Sequence, residues 1–190
     1  MSNMPGKKKD DLVQQALEES KVLSKKKHQD QTPKDTQATP FKVPLGGGRY
    51  AELTEWNGSK RVDLRVWEND TVPTKTGISL SLLLWKILCN ATEVVDYLIG
   101  GVKNREPVDW RYHLGENVYV SIKAPHPTIH VRKYFVPNGE WTLFPTKKGV
   151  TLSLYEWQEL KKIIPMFEER EPELRQLIPV YQTDYLINGL

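Results

Sequence analysis

Apolar residues occupy every second position in several short stretches of this chain, which predicts strands with one buried face. The alternation is clearest in Arg61–Trp67, and it recurs in Val118–Ile122 and in Ile129–Arg132. Asn57-Gly58 stands just before the first of these stretches, and this dipeptide is a strong signal for a tight hairpin. The pattern therefore favours antiparallel sheets built from short, half-buried strands.

The spacing of apolar residues changes to that of a helix after each strand-rich region. Leucines and Trp85 recur at helical spacing from Ser81 onward, and Gly100-Gly101 is predicted to end that run. Ser153–Glu156 has the pattern of a capping box and predicts the start of a second helix. Pro165 is predicted to end or kink this second helix. Each strand-rich region is thus expected to lead into a helix.

The two strand-and-helix regions are copies of one another. Arg49–Trp85 aligns with Val118–Trp157, and the densest match sets Pro73–Leu80 against Pro145–Leu152. The extra residues of the second copy fall around Pro137-Asn138-Gly139, which reads as a turn. One copy of about fifty residues is too small to bury a good core alone. We therefore predict that the two copies pack together as an intramolecular pseudo-dimer with a shared core.

The net charge of +3 comes entirely from residues 1–45, which hold nine lysines and six acidic residues. Residues 1–40 contain two lysine triplets, many polar residues and few large apolar ones, which predicts a disordered tail. Paired lysine clusters of this kind are compatible with a nuclear-import signal. The alternative is a solvated tail that adds nonspecific attraction to polyanions.

The residue types that carry enzyme or metal chemistry show no characteristic spacing in this chain. No nucleophile–base pair, carboxylate dyad or zinc-ligand spacing is visible, so neither an enzyme nor a cofactor or metal site is predicted. The lone Cys89 excludes a disulfide framework within the chain and is predicted to be a buried, unreactive thiol. No apolar run is long enough for a membrane span, and no secretory signal is visible.

Both copies resemble the positive-cofactor-four family, transcriptional coactivators with a single-stranded-DNA-binding domain. The motifs that carry the resemblance are Val62-Asp63-Leu64-Arg65 with Trp67, Ile129-His130-Val131-Arg132 with Tyr134, Pro73–Leu80 with Trp85, and Pro145–Leu152 with Trp157. The resemblance implies a homodimer that holds unpaired strands in basic channels along its sheets, and a tandem copy would supply both halves from one chain. It implies an α+β fold of two tandem repeats, each a curved antiparallel four-stranded sheet followed by a helix, packed as a pseudo-dimer.

Candidate binding residues follow from this resemblance and from the needs of a single strand, which are cations for phosphates and flat aromatic faces for bases. Arg65 and Arg132 match the family's strand arginine, and Lys75, Lys147 and Lys148 match its basic loop. The full set of expected nucleic-acid-binding residues is Trp56, Lys60, Arg65, Lys75, Arg132, Lys133, Phe135, Trp141, Lys147 and Lys148.

The two copies differ at the family's aromatic positions, so two equivalent channels are not expected. Trp56 fills the hairpin aromatic position in the first copy, where the second copy has Pro125. Phe135 fills the aromatic position after the strand in the second copy, where the first copy has Glu68. Glu68 would repel phosphate if it lay in the channel.

Structural roles are open alternatives for most of these residues. Arg65 and Arg132 could form structural ion pairs, the paired lysines could be an ordinary solvated turn, and Trp56 and Phe135 could cap a sheet edge. Trp85 and Trp157 lie on the apolar helix faces and are predicted to be core residues instead.

The predicted organisation is a disordered tail (1–45), a first repeat (46–100), a connector (101–116), a second repeat (117–168) and a C-terminal extension (169–190). The predicted function is binding of single-stranded DNA with little sequence preference, as a transcriptional coactivator or regulator in the nucleus, with proteins of the transcription machinery as further partners. Three alternatives are open: RNA binding in the same channels, a protein-interaction scaffold with degraded nucleic-acid binding, and protection of single strands in replication or repair.

Overall fold

The structure of the protein is a computed structural model that describes residues 41–140 and 142–179. The elements in this part of the chain are β1 (Phe41–Gly46), β2 (Arg49–Trp56), β3 (Ser59–Glu68), β4 (Val72–Ser81), α1 (Leu82–Asn90), α2 (Thr92–Lys103), β5 (Asp109–Gly115), β6 (Val118–Lys123), β7 (His126–Phe135), β8 (Phe144–Leu152), α3 (Leu154–Arg170) and α4 (Glu173–Gln176). The tail predicted over residues 1–40, Trp141 and residues 180–190 lie outside the described residues.

Strands β1–β4 form one antiparallel sheet in sequence order, and β5–β8 form a second sheet with the same order. Each sheet leads directly into a helix, so the predicted α+β fold with two four-stranded repeats is confirmed. The two-residue alternation is confirmed as well, since Val62, Leu64, Ile129 and Val131 are fully buried on one face of their strands.

The first hairpin has the geometry that its dipeptide predicts. Trp56 pairs with Ser59 across a two-residue loop, and Asn57 and Gly58 have φ angles of 50° and 73°. Positive φ at both loop residues is the requirement of the turn that matches the twist of paired strands. The corresponding turn of the second sheet is Ala124-Pro125, which has a cis peptide bond.

The sequence prediction missed the first strand of each sheet. Strand β1 lies within the segment assigned to the tail, and β5 lies within the segment assigned to the connector. Both are edge strands that pair with only one neighbour. Pro44 and the glycines after it interrupt the pattern of β1, and most side chains of β5 are polar or partly exposed, so neither strand shows a clear alternation.

One predicted helix end was also misplaced. Helix α2 continues through Gly100-Gly101 to Lys103, and the backbone N–H of Asn104 still donates to the carbonyl of Gly100. A side chain at Gly101 would lie 2.8 Å from Oε2 of Glu106, so this glycine makes room for the chain that returns from the helix. Helix α3 runs past Pro165 to Arg170, so Pro165 does not end it, and its predicted capping box at Ser153 and Glu156 is confirmed.

The core lies between the two sheets and the helices. Trp85 and Trp157 are fully buried, as predicted, and Phe167 packs against Trp85 with ring centroids 5.6 Å apart. Helix α3 of the second repeat lies against β1 of the first, and α1 of the first lies against β5 of the second. Each repeat therefore covers part of the other repeat's sheet.

Polar contacts also join the two repeats. Lys86 of α1 lies 2.8 Å from Glu168 of α3, and Asp96 of α2 accepts hydrogen bonds from Lys161 and from Nε1 of Trp157. The Nε1 of Trp85 has no hydrogen-bond partner among the described residues. Cys89 is partly buried, and its burial raises the pKa of the thiol to about 12.

The C-terminal extension is tied to the first repeat by packing and by charge. Leu174 of α4 is fully buried, and Glu171 forms an ion pair of 2.7 Å with Lys60 of β3. None of the helices in residues 41–140 and 142–179 is both long and apolar enough to cross a membrane.

Candidate nucleic-acid interface

Each sheet has one face that packs on the core and one that faces away from it, which we call the outer face. Strand register places the predicted arginines on these outer faces. The first outer face carries Tyr50, Glu52, Asp63, Arg65, Trp67 and Lys75, and the second carries Tyr119, Ser121, His130, Arg132, Tyr134 and Lys147.

The two strand arginines make the same contacts in both sheets. Arg65 lies opposite Gly77, and its Nη1 donates to the carbonyl of Thr74 at 2.9 Å. Arg132 lies opposite Gly149, and its Nη1 donates to the carbonyl of Thr146 at 2.8 Å. Neither arginine forms an ion pair within the described part of the chain. They hold the start of β4 and β8 in place, so the expected alternative of structural ion pairs is wrong.

This contact explains the Pro-Thr-Lys-x-Gly motif that the repeats share. The hydroxyl of Thr74 donates to the carbonyl of Val66 and accepts from the backbone N–H of Thr76, and Thr146 makes the equivalent pair of bonds. A Cβ at Gly77 would lie 2.7 Å from the carbonyl oxygen of Leu64, and one at Gly149 would lie 2.8 Å from the Arg132 side chain. Only glycine leaves room for the arginine to cross the neighbouring strand.

The motif lysines are displayed by this framework. Lys75, Lys147 and Lys148 are exposed, and none of them forms an ion pair among the described residues. Lys75 lines an open cleft of about 410 Å³ on the first outer face, together with Arg65 and Trp67. Cations held at the rim of such a surface can contact a phosphate backbone.

A cation stacked on aromatic rings is present on each outer face, and sequence reasoning missed both. The Nζ of Lys42 lies 3.5 Å from the ring centroid of Trp67 and 4.4 Å from that of Tyr50. The guanidinium of Arg111 lies 4.7 Å from the ring centroid of Tyr134. Both cations belong to the edge strands that the prediction did not find. Lys42 precedes Tyr50 by the same number of residues as Arg111 precedes Tyr119, and this equal spacing was the sequence signal that could have identified both cations.

Exposed aromatic rings are distributed unequally between the two sheets. Phe135 and Phe144 pair across β7 and β8 with ring centroids 5.9 Å apart, and they are 48% and 39% exposed. Phe144 was not among the predicted residues. Trp56 is 67% exposed at the tip of the first hairpin. Trp141, also a candidate, lies outside the described residues.

Two of the predicted cations lie on the other side of their strands. Lys60 directly precedes Arg61 in β3, so it lies on the opposite face from Arg61 and Arg65. It forms the ion pair with Glu171. Lys133 pairs with Val118, which is buried, and therefore belongs to the alternation of Val131 rather than to that of Arg132. Sequence reasoning counted both by charge alone, because the face of a residue depends on register.

The first outer face carries two opposed carboxylates. Glu52 lies directly opposite Asp63, and burial, followed by the charge of Asp63, raises the pKa of Glu52. Oδ1 of Asp63 is buried with no hydrogen-bond partner among the described residues. The equivalent pair in the second sheet is Ser121 and His130. The ring of His130 is within hydrogen-bond distance of the Thr151 and Thr128 hydroxyls, and burial, followed by the charge of Arg132, lowers its pKa.

The structure thus contains two copies of one sheet. Each copy exposes lysines and aromatic rings around an arginine that is hydrogen-bonded to a threonine carbonyl. The sequence model of the family described as Transcriptional Coactivator p15 (PC4) matches the chain twice, over residues 43–91 and 114–163. These segments cover just over half of the chain; the first spans most of β1 through α1, and the second spans β6–β8 with most of α3. The chain belongs to this family and contains a tandem copy of its domain. Comparisons with curated proteins and with solved structures gave no match.

Proposed function

We propose that this protein binds single-stranded DNA along the outer face of its sheets and acts as a transcriptional coactivator or regulator. Membership of the coactivator family supports the role in transcription. The observation that carries the binding proposal is the pair Phe135 and Phe144, two exposed rings side by side at the end of β7 and the start of β8. Large apolar rings are costly to leave in water unless a partner covers them.

The chemistry of this surface suits an unpaired strand better than a duplex. Each base of a single strand offers a flat face, and stacking on an aromatic side chain is worth roughly 1–3 kcal/mol per base. The bases of a duplex are already stacked on one another and offer no such face. Lys147, Lys148 and Arg132 would lie along the phosphates. Since stacking does not depend on base identity, we expect little sequence preference.

We also propose that one chain supplies both halves of the dimer that the family resemblance implies. The support is the mutual packing of the repeats, in which α3 covers β1 and α1 covers β5. The partly buried ion pair between Arg49 and Glu156 belongs to the same contact. The protein would then act as an intramolecular pseudo-dimer that needs no second chain to complete its fold.

Action in the nucleus, with proteins of the transcription machinery as partners, is part of the same proposal. Its support is the coactivator family and the lysine-rich segment before residue 41, which lies outside the described residues. The same stacking chemistry would accept RNA, because aromatic rings do not discriminate against ribose.

A protein-interaction scaffold with weakened nucleic-acid binding is a second candidate function. The observation that favours it is the acidic pair Glu52 and Asp63, which lies on a surface where a nucleic-acid channel would need cations. In that case binding to DNA would be weak and would depend mainly on the lysine-rich tail.

Fluorescence anisotropy of labelled oligonucleotides of about twenty nucleotides separates these functions. The full-length chain and a chain that begins at Pro40 would each be titrated with single-stranded and duplex probes over a salt series. If the proposal holds, the shortened chain still prefers the single strand, with a salt slope of about −0.7 per phosphate contacted. Loss of binding with the tail, and no preference between single and double strands, would support the scaffold instead.

A further inference from the structure

The two outer faces share one backbone framework, so their differences come from side chains. Arg65 and Arg132 make the same bond to a threonine carbonyl, and each crosses a glycine of the neighbouring strand. Each face also has a cation stacked on an aromatic ring. Residues at equivalent positions can therefore be compared one by one.

The first difference is the charge of the row of residues across the middle of each sheet. In the first sheet this row contains Glu52 opposite Asp63, and in the second it contains Ser121 opposite His130. Two like charges on directly opposed residues of neighbouring strands already repel one another. A phosphate that approached the first row would add a third negative charge, whereas the second row holds no carboxylate.

The second difference is the availability of rings at the end of the strands. Phe135 opposite Phe144 forms a surface of two exposed rings on the second sheet. The equivalent pair on the first sheet is Glu68 opposite Val72. The first sheet therefore has a carboxylate and a small apolar side chain where the second offers two stacking surfaces for bases.

The third difference is the turn between β3 and β4, which bends over the first outer face. Nζ of Lys42 donates to the carbonyl of Asp70 in this turn at 2.9 Å. A hydrogen bond from Tyr50 to the carboxylate of Asp70 raises the pKa of the tyrosine hydroxyl. The turn thus takes up a hydrogen bond of Lys42, the cation stacked on the rings, and brings the acidic residue Asp70 to the first outer face.

We propose that each chain binds one single strand, on the second outer face, and that the first outer face is closed to the phosphate backbone by its acidic residues. This inference rests on the proposed function and specifies its site. Trp56 shares the alternation of Glu52 and lies at the tip of the first hairpin, so a strand bound by both Trp56 and Arg65 would have to cross the acidic row. The pseudo-dimer would then have one binding half and one half that completes the fold.

Lys75 and Lys147 provide a matched pair for the test, because they occupy equivalent positions and both are exposed. Each would be replaced by alanine in the full-length chain, and affinity for a labelled oligothymidylate of about ten nucleotides would be measured over a salt series. Lys147→Ala should lower the affinity at least about fivefold and reduce the salt slope by about 0.7. Lys75→Ala should change the affinity less than about twofold, consistent with loss of charge away from the strand.

A stoichiometric titration of the wild-type chain with the same probe, well above its dissociation constant, completes the test. The inference expects saturation at one strand per chain. Saturation at two strands, or equal losses from Lys75→Ala and Lys147→Ala, would overturn the inference while leaving single-strand binding intact. If the wild-type chain did not prefer single strands to duplex, the proposed function would fail and this inference with it.

Discussion

Nη1 of Arg49 lies 2.8 Å from Oε1 of Glu156, and this ion pair joins the sheet of the first repeat to the helix of the second. In the second repeat, Val118 is equivalent to Arg49, because it precedes Tyr119 as Arg49 precedes Tyr50. In the first repeat, Leu84 is equivalent to Glu156. Both are buried apolar residues. The equivalent positions are therefore ionic in one case and apolar in the other, so pairing two copies of the first repeat would place Arg49 against a leucine. This difference favours pairing of the first repeat with the second.

Replacing Arg49 with valine should lower the free energy of unfolding by about 2 kcal/mol, because Glu156 would be left without its cation. The side chain of Glu156 is only 6% exposed, while that of Arg49 is 30% exposed, so the loss should be smaller than for a fully buried pair. Urea unfolding of the single and double variants measures the coupling between the two residues.

The double variant Arg49→Val/Glu156→Leu copies the apolar residues Val118 and Leu84 at the equivalent positions. It should be less destabilised than the sum of the single variants, although it also loses the helix cap that Glu156 provides. Lys162→Ala, which removes an exposed pair with Glu159, is the control and should cost less than about 0.5 kcal/mol. Strict additivity of the two single variants would show that the ion pair does not stabilise the contact between repeats.

Gly77→Ala should destabilise the protein by about 2 kcal/mol or more, because the new Cβ would lie 2.7 Å from the carbonyl oxygen of Leu64. Gly100→Ala is the matched control, since nothing lies within 4 Å of a Cβ at this helical position. That variant should raise stability by about 0.5–1 kcal/mol. Thermal unfolding of both variants tests the role of glycine in the motif, and equal effects of the two would refute it.

The sequence was most informative where one face of an element is buried. The alternation in β3 and β7, the Asn57-Gly58 hairpin and the Ser153–Glu156 cap were all predicted, because each depends on neighbouring residues only. Edge strands β1 and β5 were not predicted, because a strand that pairs on one side only shows a weaker alternation of apolar and polar residues. Their absence from the prediction also hid the stacked cations Lys42 and Arg111.

The candidate site was predictable by residue type but not by placement. Lys60 and Lys133 were chosen for their charge, yet register puts them on the other side of their strands. The opposition of Glu52 and Asp63, and that of Phe135 and Phe144, depends on which residues of neighbouring strands pair. A one-residue change in register would exchange the two faces, so such pairs require the structure.

The stability of the protein should decrease as the pH falls below about 6.5, in part through His130. Burial, followed by the charge of Arg132, lowers the pKa of this histidine in the folded state. The unfolded chain therefore binds the proton more readily, and the contribution of His130 is present above the unfolded pKa and lost as pH falls through the folded pKa. Urea unfolding between pH 7.5 and about 5 should show a shallower decline for His130→Gln than for wild type. Identical slopes would contradict this assignment.

Cys89 should resist alkylation in the folded protein. Burial raises the pKa of its thiol to about 12, so very little thiolate is present at neutral pH. Iodoacetamide treatment followed by mass spectrometry should show slow labelling in buffer and rapid labelling in urea. Rapid labelling of the native chain would mean that the thiol is accessible and ionised.

Replacing Phe135 and Phe144 together with alanine should weaken single-strand binding by about tenfold or more, because each stacked base contributes roughly 1–3 kcal/mol. Phe135→Trp, which keeps a flat ring, should retain binding. Tyr97→Ala is the control, since Tyr97 is 80% exposed on α2 but lies away from both outer faces. Anisotropy titrations at fixed salt would measure all three, and an unchanged affinity in the double variant would exclude these rings from the site.

The most direct test of the account is to map where a single strand contacts the chain. An oligonucleotide that contains iododeoxyuridine would be photo-crosslinked to the full-length protein, and the crosslinked peptides identified by mass spectrometry. We predict crosslinks at Phe135 or Phe144, at the end of β7 and the start of β8, with few on the first outer face. Crosslinks confined to the lysine-rich segment before residue 41 would contradict the claim that the sheets bind single strands.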